Sequence, residues 1–133
     1  AEQTAMDHAA SFPQLHWALA FFRLWPALDR ASATVLARAK ELDGNDYEEL
    51  TALAHALESR YPLAATLALR AMIDFALNAG RSARYGHVAR HFKECGAMAS
   101  GIVDWKDFED HATFVVRLRQ KHGRKYGFWN EVV

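Results

Sequence analysis

The sequence contains few of the residues that interrupt helices or cross-link a chain. Its 133 residues include three prolines, seven glycines and one cysteine, whereas alanine occurs 25 times. Proline and glycine are the least favourable residues in a helix interior and alanine is the most favourable, so this composition indicates a helical protein. The single cysteine, Cys95, excludes an internal disulfide and fits a reducing compartment.

Signals for membrane insertion and secretion are also lacking. No uncharged apolar run reaches the length of about 18 residues that would predict a transmembrane helix. The first ten residues, AEQTAMDHAA, contain acidic residues and no basic one, unlike a secretory signal peptide. We therefore expect a cytoplasmic protein. The length predicts that residues 1–133 form a single helical domain. Because the chain lacks an initiator Met, we also expect it to be a fragment of a longer protein.

Neither charge sign is in excess over the whole chain, since 16 basic residues balance 16 acidic ones. This balance is unlike that of a dedicated nucleic-acid-binding protein. The charges are nevertheless distributed unevenly: residues 1–80 carry a formal net charge of −4 and residues 81–133 one of +4. Such an asymmetry can orient a partner or a second copy of the chain.

The stretch from Arg60 to Cys95 predicts two long helices joined by a turn at Gly80. The first of them, over residues 62–78, is apolar except for four polar side chains that recur every fourth residue and form one stripe: Thr66, Arg70, Asp74 and Asn78. A helix that is apolar on most of its circumference must be covered by neighbours, so we expect it to be the centre of a helical array. Within this stripe, Arg70 and Asp74 lie one turn apart. They could form an exposed ion pair, lie under a neighbouring helix with their charges paired, or contact a ligand, and we favour a structural role.

Apolar periodicity predicts further helices over residues 13–25, 28–42, 46–61 and 82–95, and one that begins at Asp104 or Asp107 and ends at Gly123. The core-facing seam of the helix over residues 46–61 is predicted to contain Tyr47, Leu50, Ala54, Leu57 and Tyr61.

The ends of these helices carry recognisable signals. Asp46 and Glu49 have the spacing of a capping box, and Gly80 stands where a left-handed helix cap is expected. No segment shows the strict alternation of a half-buried strand. The predicted fold class is all-α: antiparallel helical hairpins in a TPR-like or α-solenoid-like right-handed array of about six helices. A compact orthogonal bundle is the alternative.

Several segments of the chain resemble a family of uncharacterised bacterial proteins known only as a domain of unknown function. They lie within residues 21–133 and read FFRLWPALDRASATVLARAKELDG, LESRYPLAATLALRAMIDFAL, RYGHVARHFKEC and HGRKYGFWNEV. The resemblance is to the C-terminal part of those proteins and implies a TPR-like helical module of a longer polypeptide, with no reaction, substrate or cofactor. The chain is more distantly similar to helical regions that accompany SWIM-type zinc fingers in bacterial proteins. The zinc-binding cysteines of those fingers are missing here, so this likeness implies no zinc or DNA role.

His87, His91 and Cys95 are spaced by four residues, which places them along one side of a predicted helix. Two histidines at this spacing can chelate a transition metal, with His111 or His122 as a further ligand. The same three residues also flank the apolar face of their helix, where histidines bond to carbonyl groups and cysteine packs as a small hydrophobe. We favour the packing role and predict no metal or other cofactor.

Basic residues in the C-terminal half are interleaved with aromatic ones. The predicted binding residues are Arg81, Arg84, His87, His91, Arg124 and Lys125. Cations mixed with stacking rings are typical of phosphate-binding surfaces, so a nucleic-acid-binding module is the alternative function. Cations at helix ends also complement the helix dipole, however, and neighbouring acidic residues dilute the patch.

The chain ends in an aromatic tail that contains Tyr126, Phe128 and Trp129. These rings either cover the end of the helical array or bind a partner, including a second copy of the chain. We expect the covering role. Trp17 and Trp25 raise the same question near the N-terminus.

Enzyme motifs are absent from the sequence. It contains no Gly-rich phosphate loop, nucleophile elbow or HExxH motif, and Cys95 lies where burial is expected, so we predict no enzymatic activity. The predicted function is protein–protein interaction or scaffolding, with another protein or the remainder of its own chain as the partner. A second copy of the chain and, less favoured, nucleic acid are the other candidate partners, and no membrane is expected.

Overall fold

Residues 28–132 are described by a computed structural model, in which they form six α-helices. These are α1 (Leu28–Ala37), α2 (Tyr47–Leu57), α3 (Pro62–Asn78), α4 (Tyr85–Ala99), α5 (His111–His122) and α6 (Tyr126–Val132). Short 3-10 helices, Ala39–Glu41 and Ser82–Arg84, lie between α1 and α2 and directly before α4. No strand occurs in this part of the chain, so the all-α prediction is confirmed. The predicted helix over residues 13–25 and the N-terminal tryptophans lie outside the described residues.

The central position predicted for α3 is confirmed by its burial. Twelve of its 17 residues are buried, including Thr66 at 0 % and Arg70 at 5 % exposure. α2 and α4 pack along α3, and α1 contacts it as well. Arg84 at the start of α4 contacts Tyr47 at the start of α2, and Glu94 further along α4 lies near His55 further along α2, so these two helices run in the same direction.

The two ends of α3 have local explanations. Pro62 occupies the first turn, where its missing N–H is not needed. At the other end Gly80 has φ +64°, the left-handed conformation that suits glycine. The N–H of Arg81 donates to Ala76 O at 2.9 Å and that of Gly80 to Leu77 O at 3.3 Å, which is the pattern of a Schellman cap. The predicted cap at Gly80 is therefore confirmed.

Two predicted features around the start of α2 differ in the structure. α1 ends at Ala37 rather than at residue 42, because the backbone of Arg38 leaves the helical region and the chain tightens into a 3-10 turn. Asp46 is the N-cap residue of α2, but its side chain makes no capping hydrogen bond, so the capping box is not formed. The N–H of Asp46 instead donates to Asp43 O at 3.0 Å within the preceding turn.

The connection from α4 to α5 also differs from its prediction. α4 continues through Gly96 to Ala99, and α5 begins at His111 rather than near Asp104 or Asp107. The N-cap of α5 is Asp110, whose carboxylate accepts the Thr113 N–H at 2.9 Å. Gly96 lies beside His111, and a Cβ there would be 3.4 Å from His111 Nε2, an ordinary van der Waals contact.

The aromatic tail folds back as a helix that the sequence did not predict. In α6, Phe128 is 0 % and Trp129 is 6 % exposed, and both rings pack edge-on against Phe92 of α4 with centroids 5.8 Å away. The Trp129 indole N–H donates to His122 O at 2.9 Å. Two of the three aromatic residues of the tail thus extend the core, whereas Tyr126 is 67 % exposed. None of the helices over residues 28–132 is long and apolar enough to cross a bilayer.

Candidate functional site

A groove of about 610 Å³ runs between the parallel helices α2 and α4. One wall is formed by residues of α2 and the other by the start of α4, with Met72 of α3 between them. The α2 wall contains Tyr47, Glu48, Thr51 and His55, and the α4 wall contains Arg84, His87, Val88, Arg90 and His91. Three of the six predicted binding residues therefore line one groove.

The geometry of the groove follows from the order of the helices. Short turns place α2 and α4 side by side on α3, and both helices begin at the same end of the groove. Their first-turn N–H groups contribute positive potential there. Thr51 donates a hydrogen bond to the Met72 sulfur at 3.4 Å, which ties the α2 wall to the floor.

Arg84 is held at the end of the groove where both helices begin. Its guanidinium carbon lies 4.3 Å from the centroid of the Tyr47 ring and 5.8 Å from that of Phe75. These cation–π contacts fix the guanidinium on an aromatic surface. Its Nη1 is buried, and no hydrogen-bond partner for it is found in the described structure. Arg84 is thus a cation with a fixed position and an unused donor.

Glu94 of α4, which does not line the groove, lies between two histidines that do. Glu94 Oε1 lies 3.5 Å from His91 Nδ1, and Glu94 Oε2 lies 3.6 Å from His55 Nε2, so one side chain of α4 links to α2. Burial lowers the pKa of His91 below its usual value, although Glu94 acts in the opposite direction. Arg84 therefore lies where both helices begin, and Glu94 lies beside the two histidines further along the same helices.

The other predicted binding residues lie elsewhere. Arg81 is exposed, with its guanidinium carbon 5.7 Å from the centroid of the Phe75 ring. Arg124 and Lys125 line a separate cleft at the junction of α5 and α6. The predicted basic group is thus divided between two clefts, and Arg81 lines neither of them.

The His87, His91 and Cys95 row does not form a metal site in the described structure. His87 is exposed, whereas His91 and Cys95 are buried at 7 % and 0 % exposure. Burial raises the pKa of the Cys95 thiol to about 12. Within residues 28–132 no group of three His, Cys, Asp or Glu side chains is arranged to hold a metal ion. Cys95 is a core residue, in keeping with its predicted burial.

The two charged residues of the polar stripe of α3 have partners on other segments, whereas Asn78 is exposed and the buried Thr66 hydroxyl has no hydrogen-bond partner in the described structure. Arg70 donates to Glu109 O at 2.8 Å, and its guanidinium carbon lies 4.5 Å from the Phe114 ring centroid. Asp74 does not pair with Arg70 but accepts two hydrogen bonds from Arg117 of α5, at 3.1 and 3.3 Å. Arg117 Nε also donates to both oxygens of Glu109, at 3.0 and 3.1 Å.

These residues border a second cleft of about 870 Å³ beside the 3-10 turn after α1. Burial lowers the pKa of Arg117, but the hydrogen bonds that it donates to Glu109 and Asp74 outweigh this effect and raise that pKa above its usual value. Arg117 balances Asp74 and Glu109, and Arg70 supplies the second positive charge. The network is therefore electrically neutral, which supports a structural role.

Sequence reasoning missed the α2 wall of the groove. Tyr47 was expected in the core-facing seam but is 46 % exposed, because its ring supports Arg84. A signal was present, since Tyr47, Thr51 and His55 recur every fourth residue and share one side of α2.

Comparison with known proteins gives one match for the chain. A family model described as "Family of unknown function (DUF6880)" matches residues 1–131. No curated protein and no solved structure matches. The match agrees with the resemblance to a family of unknown function, while the likeness to SWIM-associated regions and the bacterial origin stay predictions. The chain belongs to DUF6880, a family of unknown function.

Proposed function

We propose that this domain is a protein–protein interaction module whose binding site is the groove between α2 and α4. One observation carries the proposal. The groove combines an apolar and aromatic surface, from Met72, Val88 and Tyr47, with arginines along one wall. These arginines form no ion pair within residues 28–132. The order α2, α3, α4, with alternate helices parallel, suits a TPR-like array of hairpins, in which such grooves hold partner segments.

The chemistry of the groove favours a partner segment that is acidic and partly apolar. Arg84 and Arg90 line it, and Glu48 is the only acidic residue among its lining side chains in the described structure. An Asp or Glu of the partner would pair with the charged guanidinium of Arg84, where the N-termini of both helices add to the attraction. Apolar side chains of the partner would lie against Met72 and Val88.

In this proposal the domain has no catalytic role and acts in the cytoplasm. The burial of Cys95 supports the first point, because a cysteine nucleophile needs exposure and a lowered pKa whereas this thiol has a raised one. A reducing compartment is supported by the single unpaired cysteine.

The proposal is tested with a displayed library of random peptides and the immobilised domain. We expect enriched peptides to combine Asp or Glu with apolar residues, and to bind the Arg84→Glu variant at least about tenfold more weakly, because one attractive charge becomes a repulsive one.

Lys93→Glu is the matched control, since Lys93 is an exposed cation of α4 outside the groove. Circular dichroism must show that both variants are folded. Enriched peptides that bind both variants equally would place the binding site elsewhere, and a library without enrichment at any salt concentration would refute a peptide-binding groove.

A further inference from the structure

The turn between α5 and α6 forms a cleft of about 420 Å³ with a strongly basic lining. Its seven lining residues are consecutive: Arg119, Gln120, Lys121, His122, Gly123, Arg124 and Lys125. Four of them are cations and none is acidic. A cleft of this size lies at the lower end of the range for small-molecule sites.

These cations are not neutralised by any acidic side chain within residues 28–132. Lys121, Arg124 and Lys125 form no ion pair with any residue that the structure describes. Arg119 lies over the Trp129 ring, with its guanidinium carbon 3.7 Å from the centroid, and a cation–π contact of this kind leaves its positive charge in place. Four positive charges within one turn repel each other, so a bound anion would stabilise the cleft.

A buried histidine at the cleft is a second, independent observation. His122 is only 5 % exposed, yet neither of its ring nitrogens has a hydrogen-bond partner in the described structure. Burial, together with Lys125 and Lys121, lowers the pKa of His122. Buried polar groups in folded proteins are normally satisfied by protein, water or ligand. The imidazole therefore offers a donor and an acceptor that the fold does not use.

The backbone of the turn is held rigidly enough to keep these groups in place. His122 O accepts hydrogen bonds from the Trp129 indole N–H at 2.9 Å and from the Lys125 N–H at 3.0 Å. This carbonyl, which lies at the negative end of α5, is thus already occupied. Gly123 allows the close turn, because a Cβ there would lie 2.5 Å from Arg119 O.

Helix-end electrostatics account for only part of the basic cluster. Lys121 lies in the last turn of α5, where a cation complements the helix dipole. Arg124 and Lys125 follow the helix and gain little from that effect. The dipole also does not explain a buried imidazole without partners.

We propose that this cleft binds the pyrophosphate or triphosphate group of a small ligand. Four cations match the three to four negative charges of such a group, and guanidinium and ammonium groups are the usual donors to phosphate oxygens. Both His122 ring nitrogens are buried, so a phosphate oxygen or a phosphate-bound water would accept from the ring only after the covering side chains move. The site is separate from the groove between α2 and α4, so the proposal does not depend on the proposed function.

Isothermal titration calorimetry of the folded chain with inorganic pyrophosphate, tripolyphosphate and ATP tests the proposal. We expect at least one of them to bind with a Kd of about 1 mM or tighter at moderate salt. Tighter binding of ATP than of tripolyphosphate would identify a nucleotide as the source of the phosphates, with the exposed Tyr126 as a ring on which a base can stack. Tighter binding of tripolyphosphate would identify an inorganic polyphosphate.

Lys121→Gln and Lys93→Gln form a matched pair, since both lysines are exposed on helices and only Lys121 lines the cleft. We expect Lys121→Gln to weaken binding about tenfold, Lys93→Gln to leave it unchanged, and the triple variant with Arg124→Gln and Lys125→Gln to abolish it. In NMR spectra the His122 ring signals should shift on titration while those of His55 stay fixed.

Three results would overturn the proposal. One is equal binding by Lys121→Gln and Lys93→Gln. Another is that sulfate at equal ionic strength gives the same calorimetric response as the phosphate compounds, which would indicate charge screening alone. The third is binding of oligonucleotides only, with an affinity that rises with their length, which would make the cleft part of a nucleic-acid surface.

Discussion

Arg117 is the side chain whose loss should reveal how the polar stripe of α3 stabilises the fold. It donates to Asp74 of α3 and to Glu109 before α5, through contacts of 3.0 to 3.3 Å. In Arg117→Met both carboxylates lose this partner, while the apolar part of the side chain can still pack against Phe114. The free energy of unfolding should therefore fall.

The size of the effect follows from burial. Arg117, Asp74 and Glu109 are 38 %, 30 % and 33 % exposed, so their ion pairs are neither buried nor fully solvated. Hydrogen bonds to buried charged groups contribute about 1.5–3 kcal/mol and exposed ion pairs about 0–1 kcal/mol. An intermediate value for each carboxylate gives a loss of about 2–3 kcal/mol for Arg117→Met.

Urea denaturation followed by circular dichroism measures this loss as a lower midpoint at an unchanged m value. Lys121→Met is the control, because it removes an exposed cation of the same helix that forms no ion pair with a described residue. Asp74→Asn should cost less in the Arg117→Met background than in the parent protein, with a coupling of about 1 kcal/mol. A loss within about 0.5 kcal/mol of the control, or additive effects of the two changes, would refute the proposed network.

Further expectations concern the core and pH. Gly44→Ala should lower the free energy of unfolding by about 1–3 kcal/mol, because the new Cβ would overlap Ala71 O. Gly86→Ala has open space and should raise that free energy by about 0.5–1 kcal/mol. Equal effects of the two changes in urea denaturation would contradict this expectation. Cys95 should react with a thiol reagent only after denaturation, and rapid modification of the folded protein at neutral pH would show that it is not buried. Burial lowers the pKa of His91 in the folded protein, so the unfolded chain binds more protons than the folded one at mildly acidic pH. The contribution of His91 to the free energy of unfolding should therefore be greatest above about pH 6.5 and decline as the pH falls. His91→Gln should flatten this decline in urea midpoints, and an unchanged slope would assign it to other groups.

The features that the sequence predicted correctly are those set by local physics. A helix that is apolar on most sides must be covered by neighbouring helices and therefore lies at the centre of the fold. This is the position of α3. Gly80 was identified because few residues other than glycine adopt positive φ after a helix. In both cases the information lies within a few turns of one segment.

The start of α5 illustrates what local information could not decide. Asp104, Asp107 and Asp110 are all reasonable helix caps by residue type, so the sequence offers equivalent choices. The choice is made by a distant contact, because Arg70 of α3 donates to Glu109 O and fixes the chain just before Asp110. That hydrogen bond joins residues 39 positions apart and leaves no local signature.

The candidate site was predicted only in part for a similar reason. Arg84, His87 and His91 were identified as binding residues, but their groove exists because α2 lies beside α4, and that depends on how both pack on α3. The basic residues looked like one group because they share a sequence region. The fold separates them, since α6 turns back to bury Phe128 and Trp129 and leaves Arg124 and Lys125 at its start.

Both proposed sites rest on how the fold uses its charges. The acidic side chains near the core are engaged: Asp74 and Glu109 by Arg117, and Glu94 by two histidines. Arg84 and the basic turn after α5 gain no such partner among the described residues, although Tyr47 and Trp129 hold two of the cations in fixed positions. Aromatic rings fix a cation without neutralising it, which keeps its charge free for an anionic partner. If both sites were only solvated surface, such fixed positions would have no function, so the loss of binding in Arg84→Glu and in Lys121→Gln is the decisive comparison for each.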